Sequence, residues 1–146
     1  TPEGYTEAPE EWLQSQVDLA GVVDMAISDS IYLLYADGTI RKMTLGQPDT
    51  FDVAGWDTPL RGPTALFTRP PDETKWLYIA DPGNGRIVQS DAAGNLKQQF
   101  RIAEAPAGPD GDPLAATRNL FVDEIGGLAY VLSGQKLYLL VLPLAE

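Results

Sequence analysis

The chain has 146 residues, 10 Lys+Arg against 21 Asp+Glu for a formal net charge of -11, and neither Cys nor His. That is one domain's length, and the missing residue types exclude disulfide frameworks, thiolate metal sites, cysteine nucleophiles and every imidazole-based triad. The negative charge opposes binding to a phosphate backbone, and the longest apolar run, residues 137–142, falls far short of a membrane span.

Residues 1–11, rich in Pro and Glu, read as a linker or extended arm. Residues 12–19 are locally ambiguous. Pro9, Glu10 and Glu11 suit the first turn of a helix, whereas a period of two puts Trp12, Gln14 and Gln16 on one side and Leu13, Ser15 and Val17 on the other. Strands are then predicted over 22–27 and 31–36, followed by the two-residue hairpin signal Asp37-Gly38 and a strand over 39–45. A turn at Gly46-Gln47-Pro48 leads to a weak strand over 50–53. Strands follow over 64–68, 76–80, 86–90 and 95–102, then a Pro/Gly/Asp loop over 105–113. Residues 120–122, 128–132 and 136–142 complete the series, with Ser133-Gly134 turning between the last two. With 14 Gly and 12 Pro separating strands this short, the fold class is all-β.

The strands repeat as short apolar strand, aromatic-aliphatic strand, turn and third strand. The second strand of each unit starts at 31, 77 and 128, intervals of 46 and 51 residues that suit four-stranded propeller blades. Residues 95–102 supply an outer strand to the second unit, 50–53 a weak one to the first, and the third has none. Residues 12–19 precede the first inner strand as a spare outer strand and are read as a strand rather than a helix. The chain is thus three blades, half of a six-bladed propeller. Three blades leave exposed ends, which either the remainder of a longer chain or a second copy must cover. In a homodimer, strand 12–19 of one copy completes the last blade of the other, with Trp12, Leu13, Val17, Leu137 and Leu139 at the seam.

Residues 76–94 carry Leu77, Tyr78, Ala80, Asp81, Asn84, Arg86, Ile87, Asp91 and Gly94 in an order that resembles the NHL repeat. The unit at 22–45 keeps Ile31, Tyr32, Asp37 and Arg41, and the third keeps only the pattern. The resemblance implies a six-bladed propeller of the kind that serves as a binding or sensory domain, with a few enzymes among its relatives. An extracellular or periplasmic setting is the expectation that follows.

The turn residues Asp37, Asp81, Asn84 and Arg86 have local reasons to be where they are. An acid before a turn accepts backbone N–H groups, Asn tolerates left-handed geometry, and Arg86 can reach back to Asp81. Without His or Cys a hydrolase would need carboxylates, Ser/Lys or a carboxylate-bound metal. No Ser sits in a nucleophile-elbow context, so the alternative is a metal-dependent hydrolase or lactonase-like propeller using carboxylates. Asp24 and Asp123 flank inner strands near the channel mouths, and Asp37, Asp81 and Asp91 are the other candidates. No catalytic set or metal site is assigned and no cofactor is expected. Calcium is the one ion the acids leave room for, with Asp110-Gly111-Asp112 similar to a calcium loop in composition alone. The preferred function is non-catalytic recognition of a protein, peptide or small ligand. Its binding face includes Tyr35, Trp56, Arg61, Arg69, Trp76 and Arg118, since exposed Trp and Arg are hot-spot residues. For Trp56 the competing reading is packing under its own loop or between blades.

Overall fold

The structure, a computed structural model, describes residues 8–53, 55–104 and 111–143. Its strands form where apolar residues alternate between turn signals. In the first sheet β1 (Val22–Ile27), β2 (Ile31–Tyr35), β3 (Ile40–Thr44) and β4 (Gln47–Asp49) pair in that order. The second contains β5 (Ala65–Phe67), β6 (Leu77–Asp81), β7 (Arg86–Ser90) and β8 (Leu96–Phe100), also in chain order. The third has three strands, β9 (Thr117–Asp123), β10 (Leu128–Ser133) and β11 (Lys136–Val141), with β10 in the middle. All pairs are antiparallel. The chain is therefore all-β, three blade-like sheets that do not close into a ring. Among the described residues no helix is long and apolar enough to cross a membrane.

The sheets stack face to face. The leading face of the first, with Ala26, Tyr32, Leu34 and Ile40, meets Leu66, Leu77, Ile79 and Val88 of the second. The leading face of the second, with Phe67, Tyr78, Ile87 and Phe100, meets Leu120, Val122, Ala129 and Val131 of the third. Leu34, Ile79, Ile87 and Val88 are fully buried, and each such side chain contributes about 1.5–3 kcal/mol by leaving water.

Register fixes which positions correspond. Tyr32 lies opposite Ala26, Tyr78 opposite Phe67 and Tyr130 opposite Phe121, so the three tyrosines are equivalent. The third unit is thus offset by one residue from the alignment that matched Leu128 to Leu77. A one-residue offset exchanges the faces of every side chain. Ala129 and Val131 consequently face the second sheet, and Tyr130 faces away from it. Tyr32 and Tyr78 are 4% and 0% exposed beneath the following sheet, whereas Tyr130 is 39% exposed.

Two further sequence expectations need correction. The outer strand of the first sheet is Gln47–Asp49, not 50–53. Leu45 and Gly46 both take positive φ, 52° and 79°, and make a two-residue hairpin turn that starts the fourth strand earlier. Pro48 is tolerated there because the strand is at the sheet edge.

Residues 12–19 form neither helix nor strand within the chain. They run as an arm, bent at Gln14 and Ser15, along the trailing face of the first sheet, where Leu13 and Val17 pack with Leu33, Tyr35 and Met43. The arm is pinned at both ends. The Gln14 N–H donates to the Gly46 carbonyl at 2.8 Å, and the Tyr35 hydroxyl donates to the Asp18 carbonyl at 2.7 Å. A Cβ on Gly46 would stand 2.5 Å from the Trp12 carbonyl oxygen, so the turn accepts the arm only as glycine.

Candidate functional site

The hairpin between β6 and β7 carries a fully buried carboxylate with three hydrogen-bond donors. The carboxylate of Asp81 accepts from the Arg61 N–H at 2.7 Å, from Asn84 Nδ2 at 2.8 Å and from Arg86 Nε at 2.8 Å. Arg86 also donates to Gln99 Oε1 at 2.7 Å and to the Thr58 carbonyl at 2.6 Å. Asp81 and Arg86 are both 0% exposed. Asn84 reaches the Pro59 carbonyl at 2.8 Å. These contacts fasten the inter-sheet strap, residues 57–61, to the second sheet. The backward reach of Arg86 anticipated from sequence is present, and the cluster is a clasp closed on itself. Asp37, in the equivalent turn, is exposed and accepts the Thr39 N–H at 2.9 Å. That backbone bond holds its carboxyl below the usual value.

A second network joins the second and third sheets. Glu124 accepts from the N–H groups of Lys75 and Trp76 at 2.9 and 3.2 Å and from the Tyr78 hydroxyl at 2.8 Å. Gln89 Nε2 donates to the same hydroxyl at 3.1 Å. Burial raises the Tyr78 phenol well above its ordinary value, so at neutral pH it is a hydrogen-bonding group and not a base.

The acids named as candidates for chemistry are likewise engaged. Asp24 accepts the Met25 N–H and, across the first junction, the Leu66 N–H at 2.9 Å. Asp91 accepts from Ala93 and Asn95 within its own turn, and Asp123 from the Gly126 N–H at 2.9 Å. Among the described residues no three acidic side chains gather as a cation site. Of the calcium-like triplet, Asp110 lies outside the described residues, and Asp112 caps a short 3-10 turn by accepting the Leu114 N–H.

The predicted binding face divides. Trp56 is 9% exposed, packs in the first inter-sheet core and donates its indole N–H to the Gly94 carbonyl at 2.7 Å. It is therefore a core residue, as the competing reading held, and Tyr35 is buried beneath the arm. Arg61 and Arg118 are exposed at the end of the stack that holds the β6–β7 turn and the start of β9. Arg69 and Trp76 sit at the opposite end, around the loop joining β5 to β6. Lys75 and Lys97 lie over the half-buried Trp76 ring, 4.6 and 5.6 Å from its centre. The six side chains of the predicted face do not share a surface. The spacing of charged and aromatic residues could not reveal which end of a strand each one occupies.

The structure assembles a different surface on the open leading face of the third sheet. Across β9, β10 and β11, Phe121, Tyr130 and Leu139 form one row, and Asn119, Leu132 and Leu137 the next. Phe121, Leu137, Leu139 and Val141 are 46%, 71%, 58% and 79% exposed. Phe121 meets Phe67 edge-on at 4.9 Å and Tyr130 at 6.3 Å, while Arg69 lies 5.4 Å from the Phe67 ring and 5.6 Å from the Phe121 ring. This ridge separates two open hollows of about 390 and 440 Å3. The second is rimmed by Asp72, Glu73, Asp123 and Glu124. Leu137 and Leu139, expected at a seam, are on this open face; Leu13 and Val17 are partly buried against the first sheet, and Trp12 is 43% exposed. Sequence reading did not single out Phe121 or Tyr130. Their period-two placement was the available signal.

Comparison with protein-family models and with curated protein sequences gives no match. Solved structures do match. The chain is similar to Kuenenia stuttgartiensis hydrazine synthase at TM-score 0.53 and 15% identity, covering 90% of this chain and 33% of that one. It is also similar to the computationally designed Ika4 protein, at TM-score 0.46 and 14% identity over 92% of this chain and 99% of that one. A catalytically inactive virginiamycin B lyase from Staphylococcus aureus with quinupristin matches at TM-score 0.45 and 12% identity, over 79% of this chain and 39% of that one. The first of these likenesses shows a shared fold, and the chain spans a third of the length of that protein.

Proposed function

We propose that the chain is a non-catalytic interaction module, three blades of a six-bladed propeller, whose contact surface is the open face of the third sheet. The observation that carries this reading is the tyrosine series. The same face that buries Tyr32 and Tyr78 under a following sheet leaves Tyr130 open beside Phe121 and Leu139. A contiguous apolar face of this kind on a folded chain is the mark of an interaction surface. The commitment of Asp24, Asp81, Asp91 and Glu124 to hydrogen bonds within the fold supports the non-catalytic reading.

The test has two arms. Binding of the wild-type chain to a displayed peptide library is compared with binding of Tyr130→Asp and of Arg61→Ala, which lies at the far end of the stack. Loss with the first substitution and retention with the second is expected. In parallel, the chain is assayed on simple esters and lactones. Hydrolysis above the buffer rate that disappears in Asp24→Asn would overturn the reading in favour of a carboxylate enzyme.

A further inference from the structure

Among the described residues the third sheet has three strands where the other two have four, and the arm has the properties of a fourth. Resting on the reading of that sheet as a blade whose next neighbour is missing, four observations define what completes it.

The first is position. Val17 and Leu13 lie against the trailing face of the first sheet. Phe100, on the outer strand of the second sheet, lies in the same way against the third. The arm therefore occupies the place of an outer strand belonging to a sheet that precedes the first.

The second is direction. β8 starts beside Ser90 and ends beside Ile87, running toward the β6–β7 turn. The arm runs from Gly46, at the β3–β4 turn, toward Tyr35, at the end of β2 that meets the β2–β3 turn. Both take the same course, antiparallel to β11.

The third is the alternation of backbone groups. The Leu142 N–H donates to the Gly127 carbonyl on the β10 side. Alternation then turns the N–H and C=O of Leu137, Leu139 and Val141 to the open edge of the sheet. In the arm, which bends at Gln14 and Ser15, Gln14 spends its N–H on Gly46. The side chains of Leu13, Ser15 and Val17 are the partly buried ones between exposed Trp12, Gln14, Gln16 and Asp18, so a strand formed through them turns the N–H groups of 13, 15 and 17 to the edge opposite that of Gln14.

The fourth is the pair of surfaces left open. Met25 corresponds to Leu66 and Leu120, since they face Leu33, Ile79 and Val131 respectively. Leu66 and Leu120 are 4% and 6% exposed beneath a preceding sheet, whereas Met25 is 57% exposed. The chain thus has an uncovered leading face at one end and an incompletely covered trailing face at the other, which are the two halves of one inter-sheet junction.

We infer that two copies of this chain close one ring by reciprocal strand addition, residues 13–17 of each copy pairing antiparallel with β11 of the other. Of the registers that satisfy both alternations, the one that sets Val17 opposite Leu137, as Phe100 lies opposite the equivalent Ile87, also places Leu13 opposite Val141 and Ser15 opposite Leu139, with all six side chains on the leading face. It also sets Asp18 opposite Lys136, a favourable charge pairing. Each copy's Tyr130 and Phe121 then cover the other's Met25. The two junctions are identical, as a closed two-fold assembly requires, and the edge of β11 ceases to be exposed.

The native chain has no cysteine, so engineered thiols report contacts without background. Ser15 suits replacement because its hydroxyl is buried without a hydrogen-bond partner. Separately prepared Ser15→Cys and Leu139→Cys chains are mixed in a glutathione redox buffer. Directly opposed residues of an antiparallel ladder stand about 5.5 Å apart at Cα, within disulfide range. A covalent heterodimer is expected, with yield falling about tenfold when Gln16→Cys, whose side chain faces the other way, replaces Ser15→Cys. Light scattering should give two chains for wild type and Ser15→Ala and one chain for Ser15→Pro, which lacks the bridging N–H, and for Leu139→Glu.

A wild-type chain that remains single at every accessible concentration overturns the inference, and the face is then covered by further blades or another protein. A dimer lost in Leu139→Glu but unchanged in Ser15→Pro, with no difference between the two cysteine pairs, also overturns strand addition while leaving the open face as the contact surface. A dimer indifferent to both substitutions defeats this inference and the reading of the face together.

Discussion

Replacing Asp81 by Ala tests whether the clasp between β6 and β7 holds the first two sheets together. The substitution removes the acceptor of three hydrogen bonds of 2.7–2.8 Å and the carboxylate nearest the fully buried Arg86 guanidinium. The remaining acid near that guanidinium, Asp57, is 3.5 Å away and 59% exposed. Removing one partner of a buried pair costs about 3–5 kcal/mol, because the other charge stays desolvated. Domain stabilities are roughly 5–15 kcal/mol, so the loss is a large share of the total. For a chain of this size it corresponds to a fall in Tm of about 6–20 °C. Urea unfolding followed by circular dichroism and by tryptophan fluorescence measures it. The double variant Asp81→Ala/Arg86→Met should lose less than the sum of the single losses, by more than about 1 kcal/mol. A single-variant loss below about 1 kcal/mol, the level of an exposed ion pair, would refute the reasoning.

Further outcomes follow from other contacts. Glu124→Ala leaves the Tyr78 hydroxyl and two backbone N–H groups without their acceptor and should cost about 2–3 kcal/mol in the same urea assay. Trp56→Phe removes the bond to the Gly94 carbonyl, for an expected loss of about 1–2 kcal/mol, again measured by urea unfolding. Gly83→Ala places a Cβ 2.0 Å from the Arg61 carbonyl oxygen, and thermal melting should show a loss above about 2 kcal/mol. Acid titration should reveal a loss of stability below the ordinary Asp value of 3.8, since hydrogen bonds from Thr39, Thr44 and Gln99 hold Asp37, Asp49 and Asp57 below it in the folded chain. Carboxyls lowered by folding stabilise above their unfolded value and lose that contribution as pH falls through the folded one. Urea midpoints measured in that range check the sign, and a midpoint that rises on acidification would contradict it.

The sequence made the strands legible because alternation and turn residues are local signals. The Asp81–Arg86 contact was readable for the same reason, as its partners face each other across one hairpin. The first outer strand was misplaced because Gln47-Pro48 looks like a turn, while the true turn needs Leu45 at positive φ, which no propensity favours. The third unit was set one residue out of step because Leu128 and Tyr130 are both plausible partners for an aromatic-aliphatic strand, and only pairing decides between them. Trp56 and Glu124 act on segments 38 and 46–49 residues distant. Contacts at that range leave no trace in spacing.

Among the described residues the polar ties at the two inter-sheet junctions are distributed unequally. The first junction is fastened at separate places, through Asp24, Lys42, Trp56 and the strap held by Arg86. At the second, among the described residues, Thr64 makes one tie and Glu124 gathers three donors on a single carboxylate. Mechanical tension drawn across the stack would therefore meet a riveted joint on one side and a hinge with one main pin on the other, so the third sheet should detach first.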